Sequence, residues 1–401
     1  MSVRKVQVCL ALALAVQAGF GTPTPDRIGV AEVVVGLCLL AAVSWPLALR
    51  RAVGLGWPWQ PAVGSLFVLA VLWLPLVTGT AHGWAVSDIL RDVIPLGLLL
   101  LPAWMDDRRL AEGVPVGAAH LALGLAGCVL AGRFFLDQDA LPGALGLSAA
   151  GPHQHYLANS PLVWFAALYW PARALGPGEG RRAGLLRLAD RLGSLLLAGL
   201  PLAAAAATTQ RGMLALAAAA TAVAVVRALV RRPDWTWLVL AAGLGGAAAI
   251  VWPWIDALAR LVELKMRLAG WNNHLGEVGV AADLLARSPA DAVFGLGWGA
   301  LVELPAIPDL RVSFFHAAPL YLGVKTGLLG LAATAGLLLA GIGRGRLVWP
   351  AGLSAGTVAL AGTLVLAFLV LPGFKAVDFA FVMVASAVSV RAAGTANHAE
   401  P

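Results

Sequence analysis

Apolar residues in this chain come in long runs rather than in stripes. About twelve such runs lie near 5–20, 29–49, 63–81, 92–104, 114–134, 157–171, 193–207, 212–230, 236–254, 319–343, 348–371 and 377–391, separated by short polar segments. Most approach the length of about 17–25 residues that a helix needs to cross a hydrocarbon core. Lipid cannot satisfy backbone N–H and C=O groups, so such runs are helical. The pattern therefore predicts an all-α polytopic membrane protein of about 12 transmembrane helices, a single transmembrane domain over residues 1–401. The runs 92–104 and 193–207 are short, as for tilted or partly buried pieces. Met1–Phe20 has a basic start and an apolar run but no small-residue cleavage site before Thr22, which predicts a first span rather than a cleaved leader.

One stretch departs from this pattern. Residues 256–318, between the ninth and tenth runs, form a long polar loop with its own short helices. Apolar residues recur at helical spacing over about 256–268, with Arg260, Glu263 and Arg267 on one face. A second helix is expected near 273–287, ending before Ser288-Pro289. A glycine turn follows at Phe294–Gly299 (FGLGWG). No strand precedes that turn, so it is not a dinucleotide-binding fingerprint.

Composition agrees. The chain is 60% hydrophobic and only 12% charged, against about 25% charged in soluble domains, and its mean hydropathy is +0.83. Fifteen tryptophans against three tyrosines suit anchoring at membrane interfaces. Cys9, Cys38 and Cys128 all lie within apolar runs and read as small hydrophobes. The net charge of +7 comes from arginine-rich connections, not from a nucleic-acid patch. With the N-terminus cytoplasmic, seventeen Lys and Arg fall on the inside segments. Five fall on the short outside ones: Arg27, Arg91, Arg133, Arg211 and Lys375. This bias predicts both termini inside and the 256–318 loop outside. The basic segment 172–192 reads as a topology determinant beside anionic lipid.

Candidate chemistry gathers on the outer side. Arg260 and Glu263 are explained by an ion-paired interfacial helix. Arg267 lies one turn before Trp271, and a guanidinium beside an indole suits a phosphate or a sugar. Arg211 opens a span after Thr208-Thr209-Gln210, where Thr209 could cap the helix and the first-turn amides could face an anion; snorkelling to headgroups is the other reading. His316 stands three residues before Pro319 at the start of a span, as a candidate proton acceptor or as an interfacial histidine without a role. His153 and His155, in GPHQHYLAN, lack the neighbouring ligands a metal site needs and read as rim residues touching substrate. Lys325 lies about six residues into a span, either snorkelling outward or meeting an anionic lipid head.

Four stretches, in this order, resemble the superfamily of O-antigen ligases and polymerases, bacterial membrane glycosyltransferases. TTQRGMLALA at 208–217 is similar to that family's Ser-Arg-Gly span start. MRLAGWNNHLGEVGVAADLLARSPADAVFGLGWG at 266–299 is similar to its arginine, tryptophan, helix and glycine-turn loop. FFHAAPLYLGVKTGLLGL at 314–331 is similar to its His-Asn and Glu-Thr-Gly-Leu-Leu-Gly segment. GPHQHYLAN at 151–159 is a fainter echo. Three positions depart: Gln210 where serine is common, a neutral change; Ala317 where an asparagine would orient the histidine; and Lys325 where an acid is usual.

The resemblance implies transfer of a glycan from undecaprenyl diphosphate to an acceptor hydroxyl, on lipid A–core or a similar glycan, at the periplasmic face of the bacterial inner membrane. Arg211 and Arg267 would bind the diphosphate and His316 would be the catalytic base, without metal or cofactor and with inversion at the anomeric carbon. Trp271, Arg260, His155 and Lys325 are further substrate-contact candidates. A polymerase extending the carrier-linked glycan is the alternative. A polysaccharide or lipid transporter is a second one, disfavoured by the lack of any repeat between the halves.

Overall fold

The computed structural model describes residues 3–23, 28–57, 61–105, 114–136, 156–176, 184–208, 210–231, 260, 263, 274–304, 307–313, 315–343, 354–370 and 373–396. The apolar run 236–254, the histidines 153 and 155, Thr209, Arg267 and Trp271 lie outside these residues.

Within them the chain is an all-helical membrane protein with one short addition, an antiparallel pair of strands in the 256–318 loop, Val302–Leu304 with Ile307–Val312. Sequence reading expected only helices there. Val302 and Val312 pair and are both buried, while the Glu303–Arg311 pair faces outward. Among the described residues, four helices are long and apolar enough to cross a membrane, Pro61–Ala81, Val116–Leu136, Gly184–Ala207 and Ala318–Leu339, or five if the bent pair Val30–Ala42 and Trp45–Ala52 is one span. Large apolar side chains such as Leu69, Val77, Leu125 and Leu196 are exposed along them, as a lipid-facing surface requires.

The run at 29–49 is not one straight span. It is Val30–Ala42 followed by Trp45–Ala52, bent by 86°. Pro46 in the first turn of the second helix has no N–H to continue the first. The run near 92–104 begins earlier than its hydropathy suggests, as the helix Val86–Leu99, because Asp88, Arg91 and Asp92 are helical despite their charge. The run near 193–207 likewise extends back to Gly184.

The innermost helix is Pro161–Leu175, buried along almost its whole length. It packs against Val116–Leu136, Gly184–Ala207 and Ala355–Val365. Gly127 permits one of these approaches: a Cβ there would stand 2.1 Å from the Leu162 carbonyl. Ser160 caps the helix by accepting from the Leu162 N–H at 3.0 Å, and its hydroxyl donates to the buried Asp378.

Two spans carry interruptions that face each other across the glycine turn. Helix Ala318–Gly343 breaks at Gly327 (φ 67°, ψ −172°), freeing the carbonyls of Val324 and Lys325. The N–H groups of Leu296 and Gly297 take them at 2.8 and 3.0 Å. In Pro61–Ala81, Pro75 has no N–H to offer the Val71 carbonyl four residues before it. The indole Nε1 of Trp298 takes that carbonyl at 3.0 Å, and the Trp298 N–H reaches the Pro75 carbonyl at 2.9 Å. Gly295, Gly297 and Gly299 all have positive φ. A Cβ on Gly297 would lie 2.1 Å from the Gly79 nitrogen, and one on Gly295 would lie 2.5 Å from the Gly327 nitrogen. The turn expected from the sequence is therefore present, and it is a plug between two spans.

Gly297→Ala combines a disfavoured backbone angle with a backbone clash, and should destabilise the protein by about 3 kcal/mol or more. Gly199→Ala meets nothing within 4 Å on its helix and should be neutral, or stabilising by up to about 1 kcal/mol. Thermal unfolding of both variants in detergent checks the pair.

A buried ion cluster beside a histidine–carboxylate pair

The glycine plug is fastened by a single carboxylate. Asp92, on the inner face of Val86–Leu99, is almost fully buried. Its Oδ2 accepts from Lys325 Nζ at 2.6 Å and from the Gly299 N–H at 2.9 Å. Its Oδ1 accepts from the Tyr321 hydroxyl at 2.8 Å and from Lys375 Nζ at 3.0 Å. Four donors thus converge on one ionised group, the condition under which a buried charge is tolerated. Lys325 also donates to the Ala300 carbonyl, the residue after the plug. Lys375 also donates to the Ser313 carbonyl at 3.1 Å. Burial lowers the pKa of Lys375 from the ordinary lysine range, with the Asp92 charge pulling the other way.

This arrangement corrects the expectation for Lys325. Its side chain has no exposed surface and neither snorkels outward nor meets lipid. The helix points it inward, one turn on from Tyr321, and Asp92 supplies the counter-charge that its own span lacks. Asp92, Tyr321 and Lys375 were not singled out from the sequence. An acid within reach of an apolar run is the signal that could have found Asp92. From the sequence, Lys375 is only one of the outside charges that set topology.

A second pair lies nearby in the chain. His316 sits between strand Ile307–Val312 and helix Ala318–Gly343, with its side chain 27% exposed. Its N–H donates to Glu277 Oε2 at 3.0 Å, and its Nδ1 is in contact with Glu277 Oε1. Glu277 is buried in the first turn of His274–Ala286, where a helix N-terminus favours an anion. With Nδ1 turned to the carboxylate, the neutral tautomer carries its proton on Nδ1 and Nε2 is the basic nitrogen. Ala317 denies His316 an adjacent amide, and Glu277, 39 residues earlier, orients the ring instead.

Arg211 begins the helix Arg211–Arg231 and is half-buried. Gln210 before it is far from neutral. Its amide donates to the Ala158 carbonyl at 3.0 Å and to Thr208 at 2.7 Å, and it accepts from the Trp164 indole at 2.9 Å. These bonds fix the start of the Arg211 helix against the innermost helix. In the first turn, Gly212 approaches Val370, which stands five residues before Lys375. Arg260 is exposed and helical, as is Glu263.

A narrow cleft opens beside the cluster, between Val86–Leu99, Ala318–Gly343, Trp298 and the residues Phe368, Phe374 and Lys375. Asp92, Tyr321 and Lys375 meet its apolar walls, and Ala318 lines it two residues from His316. Neither His316 nor Arg211 lines it. No protein-family model matches the chain, and no curated protein matches it significantly.

Asp92→Asn leaves two buried ammonium groups without a counter-charge and should destabilise the protein by about 3–5 kcal/mol. Adding Lys325→Met to that variant should recover part of the loss, because one uncompensated charge is removed. Unfolding of the two single variants and the double variant in detergent measures the coupling.

Proposed function

We propose that this chain is a membrane glycosyltransferase of the O-antigen ligase type, transferring a glycan from undecaprenyl diphosphate to an acceptor hydroxyl of lipid A–core. Twelve spans, cytoplasmic termini and a 256–318 loop on the periplasmic side of a bacterial inner membrane complete the proposal. The observation that carries it is the His316–Glu277 pair. A half-exposed imidazole, oriented through Nδ1 by a buried carboxylate, is built to accept a proton at Nε2.

In the proposed reaction, Nε2 takes the proton of the acceptor hydroxyl. The acceptor oxygen attacks the anomeric carbon, the bond from that carbon to the diphosphate oxygen breaks, and the configuration inverts. Negative charge grows on the departing diphosphate, which Arg211 and Arg267 stabilise with bidentate donors. Chain extension by a polymerase is the same chemistry with a different acceptor, and its product would be longer carrier-linked glycan. A transporter fits less well. The broken span at Gly327 is filled by the protein's own glycine turn, whose N–H groups occupy the freed carbonyls that a cargo would need.

In cells lacking the gene, lipopolysaccharide gels should lose the glycan-bearing ladder, and the wild-type chain should restore it. His316→Ala and Glu277→Gln should each lower kcat by about 10²–10⁴-fold with donor binding retained. Arg211→Ala and Arg267→Ala should weaken donor use instead. Full transfer by the His316 variant would remove the base assignment, and undiminished donor use by both arginine variants would remove the diphosphate clamp.

A further inference from the structure

We infer that the turn 373–378 is the mount that holds Arg211 and His316 in register, with Lys375 as the positioning residue on the histidine side and Gln210 on the arginine side. The inference rests on the function proposed above, which gives those two side chains opposite ends of one reaction. Charge is the first argument, because neutrality does not require Lys375. Asp92 is already balanced by Lys325, at 2.6 Å and sealed from solvent. A second ammonium inside the bundle costs desolvation without cancelling a further charge. What Lys375 adds is reach. Held at 3.0 Å from Asp92 Oδ1, it extends to the Ser313 carbonyl at 3.1 Å and the Ser313 hydroxyl at 3.4 Å. Its ammonium lies 4.7 Å from the centre of the Tyr321 ring. Ser313 follows strand Ile307–Val312 and stands three residues before His316. Lys325 holds the other end of the strand pair, at the Ala300 carbonyl. Both ends of the hairpin are thereby tied to Asp92, and Lys375 ties the end beside His316.

Packing is the second argument. The same turn lies across the start of the innermost helix. Gly373 meets the Trp164 ring and Pro161, where a Cβ would have no room. At the far end of the turn, the buried Asp378 accepts from the Ser160 hydroxyl. The Val377 N–H donates to the Pro23 carbonyl at 2.8 Å, which secures the turn to the end of the first span. Trp164 carries the placement onward, since its Nε1 donates to Gln210 Oε1 at 2.9 Å. The Gln210 N–H donates to the Ala205 carbonyl at 2.9 Å, and its carbonyl accepts from the Leu214 N–H at 3.0 Å. Side chain and backbone of one residue therefore fix where the next helix begins, and with it Arg211. A displacement needs its base and its departing group aligned on opposite sides of one carbon, and an error of about 1 Å can cost about 100-fold in rate. A shared mount meets that need for two residues on separate spans.

The test reads the placement of each side chain on the purified full chain in detergent, without substrate. His316 is modified with diethyl pyrocarbonate and Arg211 with phenylglyoxal, and mass spectrometry follows the rate at each residue. Lys375→Met leaves Asp92 its other three donors. It should change the His316 rate about threefold or more, the loss of one hydrogen bond, and leave the Arg211 rate at the wild-type value. Gln210→Leu should do the reverse. Gly373→Ala, which pushes the turn off Trp164 without removing a charge, should change both rates, so the test stays decisive if Lys375→Met does not fold. In transfer assays, Lys375→Met should lower kcat about tenfold or more at an unchanged donor KM, and Gln210→Leu should raise the donor KM about tenfold. Loss of folded protein alone would lower kcat in both and leave KM unmoved. Modification rates that stay at wild-type values in Lys375→Met and Gly373→Ala, or that change at both residues in every variant, would overturn the mount. If the rates respond as described but no glycan is transferred, the placement stands and the proposed function falls.

Discussion

The four hydrogen bonds to Asp92 hold the structure together at its least regular point. They join a helix (Val86–Leu99), a backbone turn (Gly299), a broken span (Tyr321 and Lys325) and the turn Gly373–Lys375. Each partner would be costly alone. A lysine inside a span, an aspartate inside a bundle and an unpaired amide all carry large desolvation penalties. Together they cancel one another's deficits, and none can be moved without exposing the others. The charges therefore specify where the turn sits more than they add net stability.

The turn in turn repairs two defects in the helices around it. Pro75 and Gly327 each interrupt the ladder of backbone hydrogen bonds, which lipid cannot replace. The N–H groups of Leu296 and Gly297 and the Trp298 indole fill the vacant acceptors, and the Trp298 N–H adds a bond to the Pro75 carbonyl. Only glycine allows backbones to approach this closely, as the Gly297–Gly79 and Gly295–Gly327 contacts require. Breaks that would be weak points in separate helices become the seat of a polar loop. That seat places His316 at the start of the Ala318 helix, against Glu277 in the first turn of His274–Ala286.

Part of the candidate site was legible and part was not. His316 could be picked out because its place just before a span holds it at the membrane surface, and Arg211 because it opposes the topological bias. The glycine turn was visible as FGLGWG, and the helix found at His274–Ala286 matches the one expected near 273–287, before Ser288-Pro289. Glu277 was invisible as a partner because its position on a helix gives no hint of a histidine 39 residues on. Lys325 was misread because a span's own sequence cannot show what another span presents to it, and Gln210 because its partners, Trp164 and Ala158, lie about fifty residues away.

The sequence by itself determined the class of molecule: only helices and closed barrels satisfy backbone groups without water, and long unbroken apolar runs with few charges suit helices, not the short alternating strands of a barrel. It also determined the chain's local punctuation, through prolines and glycines whose dihedral limits act on near neighbours. The tertiary structure alone decided which interruptions meet, and which acid answers which base. Asp92 reaches Lys325 and Lys375 across more than 230 residues, and pairings at such separation depend on how helices pack, which hydropathy and spacing do not encode.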